Sequence, residues 1–291
     1  MRSDTTGAQA HALAELLHPE RLSEVLDIGA NPLDEQAPYA ALLAEGLCHV
    51  TGFEPQPEAL ERLRREAGPH ETYLPHAIGD GTEHVLHTCA MTGFSSLLEP
   101  DEQQLALLVD FPRMAEVVSS TPVQTTRLDD VEHLDRVDHL KIDVQGSELM
   151  VFRHGRRCLS QVTSIQTEVG FHRIYRDQPL FAEVDAELRQ QGFVPQAFVN
   201  IKDWPLAPVQ WADELSSTAR QLVEADVLYV RDPARLDQLD EEQLRHLVLV
   251  CHVVHGRHGI ALLGVRELVR RGVLACEAEQ RYRELALAGR G

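Results

Sequence analysis

A short apolar strand that ends in an acid and runs into a small-residue turn, Glu24-Val25-Leu26-Asp27-Ile28-Gly29-Ala30-Asn31, constrains this fold more than any other stretch. A second apolar run, Val50-Thr51-Gly52-Phe53, ends in Glu54-Pro55, with Glu54 25 residues after Gly29. Two such strands joined by a helical stretch form a βαβ unit, which brings the turn glycine and the second acid to one edge of a parallel sheet. There the glycine lets the backbone approach a ligand closely, and a carboxylate can accept both hydroxyls of a ribose. The pair points to a ligand that carries a nucleoside.

The pattern repeats along the chain. Strand-like runs at 25–28, 50–53, 72–78, 137–143, 163–169, 193–199 and 226–230 alternate with helical stretches such as 57–66, 147–159 and 179–191. Pro57 near a helix start, and Gly68 and Gly192 past helix ends, are the expected punctuation. This alternation predicts an α/β fold, a mostly parallel seven-stranded sheet with helices on both faces. Residues 84–90 and 123–127 read as added extended segments, and 102–109 as a helix. Beyond Arg231 the strand pattern stops and 239–287 is helical throughout. The sequence therefore divides into a main domain, 1–235, and a helical C-terminal extension, 236–291.

The charge balance restricts partners. Against 27 Lys and Arg stand 46 Asp and Glu, a formal −19. A nucleic-acid backbone or an anionic lipid surface needs a basic face, so neither is expected as the main partner. Arg153, Arg156 and Arg157 read as a solvated helix face. Five cysteines without a Cys-x-x-Cys pair fit a reducing compartment. There is no charged-then-apolar leader pattern at the start, and no run near the roughly 20 apolar residues of a membrane span. A cytoplasmic location is expected.

Ligands of open α/β sheets bind at the carboxyl ends of the strands. Five runs end in an acid at or next to that edge, Asp80 lying just past its strand: Asp27, Glu54, Asp80, Asp143 and Glu168. One strand-end acid is ordinarily a cap or turn residue; five in the same position mark a polar edge. In this reading Gly29-Ala30-Asn31 lies against the amino-acid end of a cofactor, Glu54 takes the ribose hydroxyls and Asp80 accepts from an adenine amine. Asp143 faces the reaction centre. A dinucleotide site needs further glycines so that a helix N-terminus can meet the pyrophosphate. Here Gly29 is followed by Ala-Asn-Pro-Leu-Asp-Glu-Gln, whose two acids would repel phosphates. S-adenosylmethionine has no phosphate, and its sulfonium and α-amino groups tolerate carboxylates.

Further blocks appear in order: Ala77-Ile78-Gly79-Asp80-Gly81, Ser95-Ser96-Leu97, Thr126-Arg127-Leu128-Asp129-Asp130, and Leu140-Lys141-Ile142-Asp143-Val144-Gln145-Gly146-Ser147-Glu148. With the first two motifs, this series resembles the FkbM-type S-adenosylmethionine-dependent methyltransferases over residues 22–200, the Lys141–Glu148 block being the most specific part. The resemblance implies a Rossmann-like class I methyltransferase fold and O-methylation, commonly of sugar hydroxyls, with S-adenosylhomocysteine as product. By position it implies cofactor contacts at Asp27, Gly29, Ala30, Asn31, Glu54, Ile78, Asp80, Ser96 and Asp143. Ser95 and Glu148 join Ser96 and Asp143 near the reaction centre. The segment 32–38 is longer and more proline-rich than the family's compact loop, and the nearest tyrosine is Tyr39.

Methylating a hydroxyl requires a base for its proton; Asp143, His172 and Glu168 are the candidates. A divalent metal held by Asp143 and Glu148 is the less favoured alternative. Cys251, His252, His255 and His258 have zinc-like spacing but read as packing helix. Trp204-Pro205, Pro208 and Trp211 form an aromatic segment that either covers an acceptor or packs in a core. The expected partner is a small-molecule or glycan acceptor, and the C-terminal helices either pair two copies or cap the sheet. A lipid or protein acceptor, a cofactor-binding module without turnover and a dinucleotide oxidoreductase are the competing readings.

Overall fold

The computed structural model describes residues 2–31, 37–134 and 136–288. Its ten strands are β1 Ser23–Ile28, β2 Cys48–Phe53, β3 Glu71–Leu74, β4 Ala77–Gly79, β5 Glu83–Cys89, β6 Val117–Arg127, β7 His139–Ile142, β8 Ser164–Gly170, β9 Phe193–Pro205 and β10 Arg220–Arg231. Seven form the main sheet, in the order β3-β2-β1-β7-β8-β10-β9. The strands from β3 to β8 are parallel and β10 runs against its neighbours. The expected mostly parallel, seven-stranded architecture is present.

One expected strand is divided. The run 72–78 supplies β3 to the main sheet and β4 to a separate three-stranded sheet, β4-β6-β5. Pro75 stands between them, and a proline has no N–H to donate to a ladder, so β3 stops at Leu74. The helix expected over 147–159 is also split at Gly155, into Glu148–His154 and Arg156–Leu159.

Alternating residues of β1 sort the core into two layers. Leu26 and Ile28 join Phe152, Leu159, Val184 and Leu188, so the helices Glu148–His154, Arg156–Leu159 and Phe181–Gln190 cover one face. Val25 points the other way, into a cluster with Tyr39, Leu42, Val50 and Val250. On that face the C-terminal helices Glu241–Leu249, His258–Arg270 and Ala278–Ala288 share a core with Leu13 and Leu17 of the first helix, Arg2–Leu17, and with Leu228 and Val230 of β10. Among the described residues no helix is long and apolar enough to cross a membrane.

The β9–β10 hairpin outruns the sheet. Arg220 and Leu222 pair with β9, whereas the β8 pairing ends at Glu224 opposite Gly170. The projecting end meets the segment between β5 and β6 in a small core of Leu105, Leu108, Phe111, Ile174, Tyr175 and Val223, with Trp204 and Leu206 against it. Trp204 belongs to β9 and donates its indole N–H to the Val109 carbonyl at 2.7 Å. Trp211 packs on Trp204 with ring centroids 5.0 Å apart. The aromatic segment thus helps roof the carboxyl edge of the sheet.

Candidate active site

The chain turns at β1 in one direction and at β7 in the other, so the crevice between their carboxyl ends is the switch point at which such sheets bind ligands. A cavity opens there. It is lined by the turn after β1 (Gly29, Asn31), the end of β2 (Phe53, Glu54, Pro55, Gln56), His76 and Ile78, Leu86, the 92–97 segment with Ser95 and Ser96, and Lys141, Asp143, Val144 and Gln145.

Gly29 is required by this geometry. Its φ is +80°, and a Cβ there would lie 1.9 Å from the Asp143 carbonyl oxygen. The two loops therefore touch through a bare backbone. Beside them Asp27 is 4 % exposed and does not line the cavity. Tyr39 donates its hydroxyl to Asp27 Oδ2 at 2.6 Å. Lys141 Nζ stands 3.0 Å from Asp27 Oδ1 and donates to the Gly29 carbonyl at 3.2 Å. The aspartate anchors the turn from below. Ala30 is likewise buried and bonds back to the Phe53 carbonyl.

Glu54 reaches the cavity from the end of β2. It is 2 % exposed and accepts the Gln56 backbone N–H at 2.7 Å. Burial pushes its carboxyl above the ordinary range, against the opposing pull of that hydrogen bond and of Lys141. Asp80 lies outside the lining. Its Oδ1 accepts from the Thr82 backbone and hydroxyl and from His84, which closes the turn after β4 and leaves Ile78 on the cavity wall.

At the other end Asp143 follows β7 and faces the cavity. Gln145 Nε2 donates to Asp143 Oδ1 at 2.9 Å and to Glu168 Oε1 at 3.0 Å, so one amide clamps two carboxylates. Tyr175 donates its hydroxyl to Gln145 Oε1 at 2.8 Å, which fixes the amide's orientation. Gln145 holds this position with φ +54°, in the left-handed region that non-glycine residues seldom occupy. Strain of this kind is kept where surrounding contacts over-determine it, and three hydrogen bonds do so here.

Glu168 is 6 % exposed and outside the cavity lining. Burial, then the charges of Asp143 and Glu224, raise its pKa well above the ordinary value, and Lys202 opposes them. Lys202 Nζ binds Glu168 at 3.0 Å and Glu224 at 2.8 Å. Burial lowers the Lys202 pKa, but the two carboxylates outweigh it and keep the ammonium charged. Glu148 accepts the backbone N–H groups of Val144 and Gly146, which shapes the loop that carries Gln145. Its burial, aided by Asp143, pushes it up to about 7. Ser96 ties the 92–97 segment to the same loop by donating to the Gln145 carbonyl at 2.6 Å. His172 also lies outside the lining, with a buried Nε2 that has no hydrogen-bond partner.

Among the described residues no three His, Cys, Asp or Glu groups converge to hold a metal ion. In the Cys251–His258 region, His252 meets His258 Nδ1 to Nδ1 at 3.2 Å and Tyr282 at 3.2 Å, while the Cys251 side chain is buried in the core. The acids expected within residues 32–36 fall outside the described residues.

Sequence reasoning did not assign Lys141, Gln145, Tyr175 or Lys202. A lysine between Leu140 and Ile142 in the strand that leads to Asp143 was a usable signal. Tyr175 and Lys202 reach the site only through the tertiary fold.

The chain matches the profile of the methyltransferase FkbM domain over residues 27–195. No curated protein matches it. Solved structures similar to it include the magnesium protoporphyrin IX methyltransferase of Synechocystis PCC 6803 with bound SAM, at 12 % identity and TM-score 0.37, covering 79 % of each chain. Another is a precorrin-6y C5,15-methyltransferase from Geobacter metallireducens GS-15, at 11 % identity and TM-score 0.33, covering 76 % of this chain and 87 % of that one. A third is a putative methyltransferase from Thermoplasma acidophilum, at 9 % identity and TM-score 0.36, covering 73 % and 70 %.

Proposed function

This chain belongs to the FkbM methyltransferase family, and we propose that it uses S-adenosylmethionine to methylate a hydroxyl of a sugar or glycosylated small molecule. The residues present suit that cofactor. The side-chain-free Gly29 turn leaves room for a close ligand, and Glu54 offers a carboxylate to a ribose diol. When bound, the cofactor supplies a methyl group on a positively charged sulfur.

The observation that carries the reading is the state of Asp143. Gln145 fixes its Oδ1, and no described residue bonds its Oδ2. Oδ2 is therefore the base we assign to the acceptor hydroxyl. Gln145 holds the carboxylate in one rotamer and supplies no proton of its own. Glu168, held by Lys202, shares the Gln145 amide with Asp143 and so keeps that clamp in place. His172 has no part in this scheme.

Calorimetry with S-adenosylmethionine and S-adenosylhomocysteine tests the cofactor, and labelled methyl transfer to a panel of sugars and glycosides tests the acceptor. Asp143→Asn should keep cofactor binding within about threefold and lose about 10²–10⁴ of turnover, the usual worth of a positioned base. His172→Ala should keep both. Absence of binding to either cofactor form, or full turnover in Asp143→Asn, would overturn the proposal.

A further inference from the structure

The cavity carries a charge pattern that the reading above leaves unused. Among its described lining residues Lys141 is the only lysine or arginine, and it stands against two acids, Glu54 and Asp143. It lies on β7 directly beside Asp27 of β1, at the switch point itself. Burial lowers its pKa, but Asp27 and then Asp143 outweigh that cost and the ammonium stays charged. An ammonium has three N–H donors. One serves the Gly29 carbonyl at 3.2 Å, and the 3.0 Å contact with Asp27 Oδ1 is an ion pair without a hydrogen bond, so donors remain on a side chain that lines the cavity.

A ligand with an amino-acid end brings one anion into this space. Glu54 and Asp143 repel it, and the neutral serines offer no compensating charge. We propose that Lys141 binds the α-carboxylate of the cofactor's amino-acid end, between the Gly29 turn and β7. The inference rests on the S-adenosylmethionine reading, keeps its orientation and adds a partner for the carboxylate. The nucleoside lies toward Glu54 at β2, and the amino-acid end toward the β1–β7 crevice. Asp27 then has a second duty, because its ion pair holds the Lys141 ammonium in place.

The test compares two ligands that share a nucleoside and a thioether but differ in the amino-acid end. S-adenosylhomocysteine has that end; 5′-deoxy-5′-methylthioadenosine lacks it. Calorimetry on the whole chain should find S-adenosylhomocysteine the tighter ligand of the wild type. Lys141→Met should weaken it about tenfold or more, the usual worth of a charge-assisted hydrogen bond, and leave methylthioadenosine within about twofold. Because Lys141→Met strands the buried Asp27 charge, Asp27→Asn/Lys141→Met removes both charges together and should give the same selective loss. A purely structural lysine would weaken both ligands alike. An equal loss for the two ligands, or an unchanged preference for S-adenosylhomocysteine, overturns the assignment. A wild type that binds neither ligand overturns the cofactor reading itself.

Discussion

The carboxyl edge of the sheet and the face under the C-terminal helices both bury ionisable side chains, with opposite signs. At the edge Glu54, Glu148 and Glu168 are 2 %, 4 % and 6 % exposed, and burial raises the pKa of each. Beneath the helices His139 and His246 are fully buried, and burial lowers both. The partners differ as well. The edge acids receive backbone N–H groups, an amide and a lysine. The rings of His139 and His255 meet edge to face with centroids 5.1 Å apart, each with an unpartnered Nε2. At the edge, donors oppose the loss of charge that burial favours; the Nε2 atoms of His139 and His255 have no such partner.

The contrast fixes the sign of two pH effects. Glu148 has a raised folded value, so the fold favours its neutral form. That contribution is complete below its unfolded value near 4.5 and is lost as pH climbs towards about 7. His139 is pushed down to about 4, so the fold favours its neutral ring. That contribution is complete above about 6.5 and is lost as pH falls to about 4.

Three experiments bear on this comparison, the largest effect first. Deleting residues 236–291 uncovers Leu13, Leu17, Leu228 and Val230 and removes Leu244, Leu247 and Leu268 from one core. At about 1.5–3 kcal/mol for each uncovered side chain, this is comparable with a typical total stability of about 5–15 kcal/mol. The shortened chain should fail to give a cooperative unfolding transition; a sharp one would show that the helices are dispensable. Next, Glu148→Gln keeps an acceptor for the Val144 and Gly146 N–H groups without a charge. It should be more stable than wild type by about 3 kcal/mol at pH 8, and by less than about 1 kcal/mol at pH 5. Equal differences at both pH values in chemical denaturation would remove Glu148 from the acid side of the contrast. Last, His139→Gln should lower the stability lost between pH 7.5 and pH 5 by about 1–2 kcal/mol, whatever its absolute cost. An unchanged loss would mean that the buried ring does not titrate on unfolding as its burial requires.

Much of this was legible in the sequence because it is local. The acid-glycine-asparagine turn, Glu54 at the end of the second strand and the Lys141–Glu148 block all depend on neighbours a few residues away, and all three gather at one cavity. The support beneath them was not legible. Asp27 and Asp80 share the strand-end position of Glu54, yet Tyr39 and Lys141 claim one while Thr82 and His84 claim the other. Which strand-end acid faces a ligand depends on which partners the tertiary fold brings to it. Gln145 reads as an ordinary turn residue until Glu168, 23 positions later, and Tyr175, 30 positions later, arrive at its amide.

Tyr175 is 1 % exposed, in the small core that Trp204 and Leu206 pack against, and its hydroxyl serves the Gln145 clamp. The hydroxyl also lies 3.0 Å from the Phe94 carbonyl, in the segment that walls the cavity. One buried hydroxyl therefore joins the 92–97 wall to the amide that orients Asp143 Oδ1. The wall of the cavity and the aim of its carboxylate thus share a single fastening.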